Sequence, residues 1–177
     1  MSVVYDTALD LAAHGIAVYP KGFSQVDATA NAADIARYGD IFSSWYAPTG
    51  GTFRLAVLDI PTLDDLNRLE SQLGDLPLSV SVTRGRGTHH WFRISPAAKI
   101  RPLVRLVGTN AMFLPTAPIA GSQKGTTRYR YLVAPHISEF EWLPARWIES
   151  SVSGGSLAER AEWSPDANYE DALANPH

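Results

Sequence analysis

The chain contains no cysteine, and it has no acidic residue between Leu76 and Ser138. The absence of cysteine excludes disulfides, thiolate nucleophiles and cysteine-based zinc sites, and it is typical of a cytoplasmic protein. Met1–Tyr19 lacks the basic and apolar regions of a secretory signal. No apolar run approaches the roughly 20 residues that span a bilayer. We therefore expect a cytoplasmic protein with no membrane partner.

The acid-free stretch reverses the charge of a chain that is acidic overall. The net charge is -3 over 177 residues, yet residues 76–138, here called the basic block, carry nine basic residues and no acidic ones. Because the local field decides which partners a surface attracts, the pattern predicts a polyanionic partner, either nucleic acid or a nucleotide. The basic residues are Arg84, Arg86, Arg93, Lys99, Arg101, Arg105, Lys124, Arg128 and Arg130.

Hydrophobic spacing predicts an α/β (α+β) fold with a mixed or antiparallel sheet, in one domain of residues 1–150. The remaining residues, 151–177, start with a Ser- and Gly-rich linker and continue as an acidic tail, for which we expect disorder or loose docking. Predicted helices cover Tyr5–His14, the segment from Asn31 to Trp45, the segment from Pro61 to Leu73, and Leu143–Ile148. Predicted strands cover Ile16–Tyr19, Arg54–Ile60, Leu78–Arg84, Thr88–Ile94, Ala111–Leu114 and Arg128–Leu132.

A Gly-rich turn, Arg84–Gly87, is predicted between two strands of a hairpin. Glycines let backbone N–H groups approach a phosphate, and arginines add charge and forked donors. On the returning strand, His89, Trp91 and Arg93 share one face. Phosphate contact with base stacking on Trp91 is one interpretation, and a hairpin tip with solvated arginines is the other.

A later predicted strand carries Arg128 and Arg130 on one face, with Tyr129 and Tyr131 on the other. The arginines either extend a basic surface or protect an edge strand from pairing with another chain. The sequence leaves both interpretations open.

Asp59 ends the apolar strand Leu55–Asp59 and is either a metal ligand or the cap of the following helix. Chemistry with two metal ions needs at least two converging carboxylates. The residue two positions on, which shares the strand face of Asp59, is Pro61. Asp64 and Asp65 lie on the predicted helix and are expected to face solvent. The carboxylate set is therefore incomplete.

Taken together and in this order, these segments resemble the bifunctional DNA primase/polymerase domain of the archaeo-eukaryotic primase superfamily. The resemblance runs from about Tyr5 to Ser150 and implies an RRM-like sheet flanked by helices. It also implies a role in phage or plasmid replication. The segments that carry it are Leu55–Asp59, Thr83–Arg93, Arg128–Tyr131 and Leu143–Ile148.

The resemblance implies that Asp59 matches the first acidic position of the family and His89 the phosphate-binding histidine. The second acidic position falls on Pro61, and the third falls near Arg105 or Leu106, where no carboxylate stands. This set does not suit Mg²⁺, which needs oxygen ligands in near-octahedral geometry. We therefore expect a catalytically degenerate domain that needs no cofactor. Its predicted contacts to nucleic acid or nucleotides are Arg84, Arg86, His89, Trp91, Arg93, Arg128 and Arg130.

Two alternative functions remain open. The first is an active primase or polymerase in which Asp59 holds Mg²⁺ or Mn²⁺ together with Asp64 or Asp65. The second is a protein-interaction module on the same fold, which binds a replication or host protein. Such a module would need an exposed apolar patch, and the candidates for it are Trp45, Trp142 and Trp147.

Overall fold

A five-stranded antiparallel sheet forms the centre of the fold. The computed structural model describes residues 2–153 and 156–157 of the chain. In this part of the chain the helices are α1 (Val3–Ala13), α2 (Ala32–Tyr38), α3 (Leu63–Leu73) and α4 (Ala145–Ser153). The strands are β1 (Tyr19–Pro20), β2 (Trp45–Pro48), β3 (Leu55–Ile60), β4 (Ser81–Thr83), β5 (Thr88–Arg93), β6 (Val104–Arg105), β7 (Met112–Phe113), β8 (Thr116–Pro118), β9 (Gln123–Lys124), β10 (Thr127–Arg128), β11 (Arg130–Val133) and β12 (Ser156–Leu157).

The strand order in the central sheet is β11-β4-β5-β3-β7, and every neighbouring pair is antiparallel. A smaller sheet has the order β1-β2-β8, and two further pairs join β9 to β10 and β6 to β12. The predicted α+β class is therefore confirmed. The predicted hairpin is also confirmed, since β4 and β5 flank the Gly-rich turn.

Both faces of the central sheet are covered by hydrophobic side chains. Leu55 and Val57 point into a cluster that includes the buried face of α1. Ala56, Leu58 and Ile60 point into a second cluster with residues of α3 and α4. This double burial explains why β3 is apolar along nearly its whole length. A polar side chain in the middle of β3, where every residue is buried, would therefore have no route to solvent.

Three helices begin at side-chain caps. The hydroxyl of Ser2 accepts a hydrogen bond from the first turn of α1, and the side chain of Asn31, as predicted, does the same for α2. The cap of α3 is Thr62, whose hydroxyl accepts from the backbone N–H of Asp65 at 3.1 Å and donates to the Asp65 carboxylate at 2.8 Å. The interpretation of Asp59 as the cap of this helix is therefore wrong.

The predicted helix from Asn31 to Trp45 is much shorter in the structure. It ends at Tyr38, where Gly39 turns the backbone with φ 74°, and Trp45 instead begins a buried strand. The aromatic rings of Tyr38 and Phe42 still pack edge-on against Trp45, at centroid distances of 5.8 and 6.1 Å. The helical spacing of these aromatic residues in the sequence therefore corresponds to an aromatic cluster and not to one long helix. A helix, a loop and a strand each contribute a ring to this cluster.

The boundary predicted at residue 150 falls inside α4, which continues to Ser153. Ser151 is buried, and its hydroxyl accepts a hydrogen bond from the backbone N–H of Arg101 at 3.1 Å. Further along, β12 pairs with β6. The rest of the predicted acidic tail lies outside the described residues. No helix in the described part of the chain is long and apolar enough to cross a membrane.

Gly121 approaches α1 so closely that a side chain has no room. Its φ is 90°, and a Cβ atom there would lie 2.8 Å from Val4 Cα. We expect Gly121→Ala to lower the free energy of unfolding by about 2–4 kcal/mol, since backbone strain and overpacking add. The matched control is Gly125→Ala, at φ 57° with no atom within 4 Å, which should cost about 1 kcal/mol. Urea unfolding measures both, and equal losses would contradict the packing argument.

Candidate functional site

Asp59 and His89 face each other across β3 and β5. The register pairs the two residues, and His89 Nε2 lies 3.4 Å from Asp59 Oδ1. Both side chains are buried, with 2% and 4% exposure. Val82 and Met112 flank them in the same cross-strand row. The structure therefore brings together Asp59 and His89, the two residues that the sequence resemblance singles out.

The imidazole of His89 is held in a neutral state. Burial, together with the smaller effects of His90, Lys124 and Arg84, lowers its pKa to about 3. The Asp59 carboxylate favours the protonated form, but burial outweighs that attraction. His89 therefore carries no positive charge at pH 7.

Tyr129 covers the other side of this pair. Its ring centroid lies 5.6 Å from that of His89, with the planes tilted by 33°. Backbone hydrogen bonds hold Tyr129 in place. Its backbone N–H donates to Ser122 O at 2.9 Å, and its backbone carbonyl oxygen accepts from Gly121 N at 2.7 Å. The sequence pattern placed Tyr129 only opposite the arginines and predicted no role for it.

Basic side chains from three segments lie at the end of the sheet that holds the buried pair, and we call them the basic rim. Two come from the turn between β4 and β5, two from the β9–β10 hairpin, and one from β11, which pairs with β4 beside that turn. Two of the five are half-buried and three are exposed. The basic rim consists of Arg84, Arg86, Lys124, Arg128 and Arg130.

The turn that carries Arg84 and Arg86 has a fixed backbone. Thr83 Oγ1 donates to Gly87 O at 2.6 Å and accepts from Gly85 N at 3.1 Å. Gly87 has φ 64°, and a Cβ atom there would lie 3.0 Å from Ile60 O. Glycine at this position therefore lets the turn lie against the end of β3, beside Asp59.

Two predicted contact residues are not at the rim. Trp91 is 1% exposed and packs in the cluster beneath α1, so the prediction that it stacks on a base is wrong. Arg93 shares the strand face of His89 but lies four residues further along β5, which corresponds to about 13 Å. It stands at the opposite end of the sheet, next to Trp142.

The two remaining arginines occupy different strands. The prediction of one strand from Arg128 to Leu132 is wrong, because the chain bends at Tyr129 and divides it into β10 and β11. Arg128 Nη1 donates to Gly121 O at 3.0 Å, whereas Arg130 lies opposite Thr83 in the sheet. Because Val82 and not Thr83 is the register partner of His89, Arg130 points to the opposite face of the sheet from His89, at the same end. Lys124 also lies at this end, although the sequence pattern assigns it no role beyond charge.

Asp64 and Asp65 do not converge on Asp59. They lie on α3, which packs on the face of the sheet that Asp59 does not occupy. Asp65 is buried rather than solvent-facing, because its carboxylate accepts from the Thr62 hydroxyl and, at 3.3 Å, from Asn110 N. Among the described residues no three histidine or acidic side chains are grouped so that they could hold a metal ion. The side chains present at Asp59 do not fit a two-metal centre.

Of the three tryptophans that were candidates for an exposed apolar patch, only Trp142, with 60% exposure, reaches the surface. Trp45 and Trp147 are fully buried and contribute to no partner-binding surface.

No model of a known protein family matches the sequence, and no curated protein matches it. The resemblance to the primase/polymerase domain therefore stays a prediction from the order of the motifs.

The two adjacent histidines predict how stability depends on pH. Burial lowers the pKa of His90 to about 4 and that of His89 to about 3, whereas both are about 6.5 in an unfolded chain. Below pH 6.5 the unfolded state therefore binds protons that the native state does not. We expect stability to fall as the pH is lowered toward 4, by up to about 1.4 kcal/mol per pH unit for each histidine.

Urea unfolding at several values between about pH 4.5 and 7.5 measures this slope. The variant His90→Gln should have a shallower slope than the wild-type chain. An NMR titration in which either imidazole protonates above about pH 6 would contradict the prediction.

Proposed function

We propose that this chain is a primase/polymerase-like domain that binds single-stranded nucleic acid or nucleotide phosphates through the basic rim. The observation that carries the proposal is that five basic side chains from three separate segments lie at the end of the central sheet that holds the buried Asp59–His89 pair. Guanidinium groups bind phosphate oxygens with paired hydrogen bonds. The order of the motifs favours a role in phage or plasmid replication.

The position of the arginines at the surface, with Asp59 buried beneath it, supports binding at the surface. Asp59 is buried, whereas Arg86, Arg128 and Arg130 are exposed. An anion that approaches from solvent therefore meets guanidinium groups before it meets the carboxylate. We assign the phosphate contacts to the arginines. His89 lies behind them and supports the surface through its contact with Tyr129.

We further propose that the domain does not transfer nucleotides. Of the three acidic positions that the resemblance implies, only Asp59 is filled, and α3 holds Asp64 and Asp65 on the other side of the sheet. The function that this geometry favours is recognition of phosphate groups rather than chemistry on them.

Binding to single-stranded DNA should depend steeply on salt. For a fluorescent oligo(dT), we expect the affinity to fall strongly between about 50 and 200 mM NaCl, since bound phosphates release counterions. The double variant Arg86→Ala, Arg130→Ala removes two exposed cations and should reduce the salt slope by about 1.4, or about 0.7 for each lost contact. Fluorescence anisotropy measures both quantities.

The control for this experiment is Arg101→Ala. Arg101 belongs to the basic block and is exposed, but its backbone bonds to Ser151 at the end of α4, away from the rim. The control should keep the wild-type slope. The proposal fails if the wild-type chain does not bind at low salt, or if the control loses as much affinity as the double variant.

Primer extension tests the catalytic half of the proposal. With Mg²⁺ or Mn²⁺, a primed template and nucleotides, we expect no incorporation above background, because one carboxylate does not form a two-metal site. Incorporation that needs the metal ion and disappears in Asp59→Asn would show that the domain is an active polymerase. The salt-dependent binding should be measured in parallel, so that the two halves are judged separately.

A further inference from the structure

A pocket of about 350 Å³ opens at the end of β3 and β5 that lies farthest from the basic rim. It is bounded by the end of α1, the start of β3, the end of β5 and the segment just before α4. The side chains that give it its character are aromatic or basic. They are His14, Phe53, Arg54, Arg93, Phe140 and Trp142.

Trp142 offers an exposed aromatic surface on a fixed backbone. The indole is 60% exposed. Its segment is hydrogen-bonded to β5, since Arg93 N donates to Glu141 O at 2.7 Å and Leu143 N donates to Arg93 O at 3.0 Å. A tryptophan held in this way is ready to stack on a planar ring at little cost in conformational entropy.

Other rings line the interior of the pocket. Phe140 is 5% exposed, and the His14 ring meets it edge-on at a centroid distance of 5.9 Å. His14 Nδ1 is bonded to Asp10 O at 2.8 Å, and the Asp10 carboxylate lies 3.8 Å from the same nitrogen. The carboxylate therefore sits beside His14 and not among the pocket's arginines.

Two arginines add positive charge to this aromatic pocket. Arg54 and Arg93 are both exposed, and neither forms an ion pair within the described part of the chain. Arg54 adopts the left-handed conformation, with φ 53° and ψ 31°. That conformation is unfavourable for a residue with a side chain, and such strain is concentrated at functional sites.

We propose that this pocket binds an aromatic ring that carries a phosphate, as in a nucleoside monophosphate. Its volume lies within the range of small-molecule sites. Trp142 would stack on the ring, and Arg54 and Arg93 would bind the phosphate with forked hydrogen bonds. Arg93 in this site is about 13 Å along β5 from His89, and the site does not depend on the function proposed for the rim.

The same chemistry has two sources, a free nucleotide and the phosphorylated end of a single strand. Calorimetric titration with dAMP and with a 5′-phosphorylated deoxyoligonucleotide separates them. Similar affinities for dAMP and for the 5′ phosphate of the oligonucleotide would identify a mononucleotide site. Affinity about tenfold higher for the phosphorylated oligonucleotide than for both dAMP and the same strand without its 5′ phosphate would identify a strand end, since strand binding at the rim needs no 5′ phosphate. Either result supports a site for a ring-bearing phosphate.

The sharpest variant is Arg54→Gly. Glycine adopts the left-handed conformation without strain, so the fold should be at least as stable as that of the wild-type chain while the guanidinium is lost. We expect dAMP affinity to fall about tenfold in Arg54→Gly and about tenfold in Trp142→Ala. Arg101→Ala, an exposed arginine outside the pocket, should bind dAMP as the wild-type chain does.

Three results would overturn the assignment. The first is no dAMP binding by the wild-type chain at millimolar concentration. The second is unchanged affinity in Arg54→Gly and Trp142→Ala. The third is tighter binding of an acidic peptide with a phenylalanine than of dAMP, which would make the pocket a protein-binding site.

Discussion

The antiparallel pairing of β3 with β5 decides where the charged groups of this protein stand. Six register pairs join the two strands, and hydrophobic clusters cover both faces of the sheet they form. Of the charged or titratable side chains on these strands, Asp59 and His89 are buried, His90 is half-buried, and only Arg93, at the end of β5, is exposed. The basic rim is at one end and the aromatic pocket is at the other. A shift of the β3 register by one residue would turn Asp59 toward α3 and would move the apolar side chains of β3 to the opposite faces of the sheet.

The burial of the Asp59–His89 pair is unfavourable for the stability of the fold. An isolated charge inside a protein is strongly unfavourable, and here Asp59 lies beside a neutral imidazole. Arg84 and Lys124 act on that imidazole and also contribute to the field at the surface. The consequence is that the interior pair and the rim are coupled electrostatically. A change to Asp59 alters the packing of the sheet beside this imidazole.

Much of the fold follows from periodicity in the sequence. The alternation in β3 and β5, the leucines of α3 and the Gly-rich turn each predict the element that the structure contains. Periodicity predicts which face of the sheet a residue takes, but not whether that part of the face is covered or which end of the strand lies at the site. The face that Trp91 and Arg93 share with His89 is therefore predicted, whereas the burial of Trp91 and the distance of Arg93 from the rim are not. The basic block likewise follows one stretch of sequence, yet topology sends Arg93 and Arg101 to places away from the rim.

The Gly-rich turn separates what packing requires from what function requires. Gly87 is needed because the turn lies against the backbone at the end of β3, where a Cβ atom would approach Ile60 O at 3.0 Å. Packing therefore explains this glycine without any ligand. It does not explain Arg86, which is exposed in the same turn, or the exposed Arg128 and Arg130 at the same end of the sheet. Like charges placed in one part of a surface repel one another. The unexplained part of the turn is thus its charge, and phosphate is the ligand chemistry that offsets that repulsion.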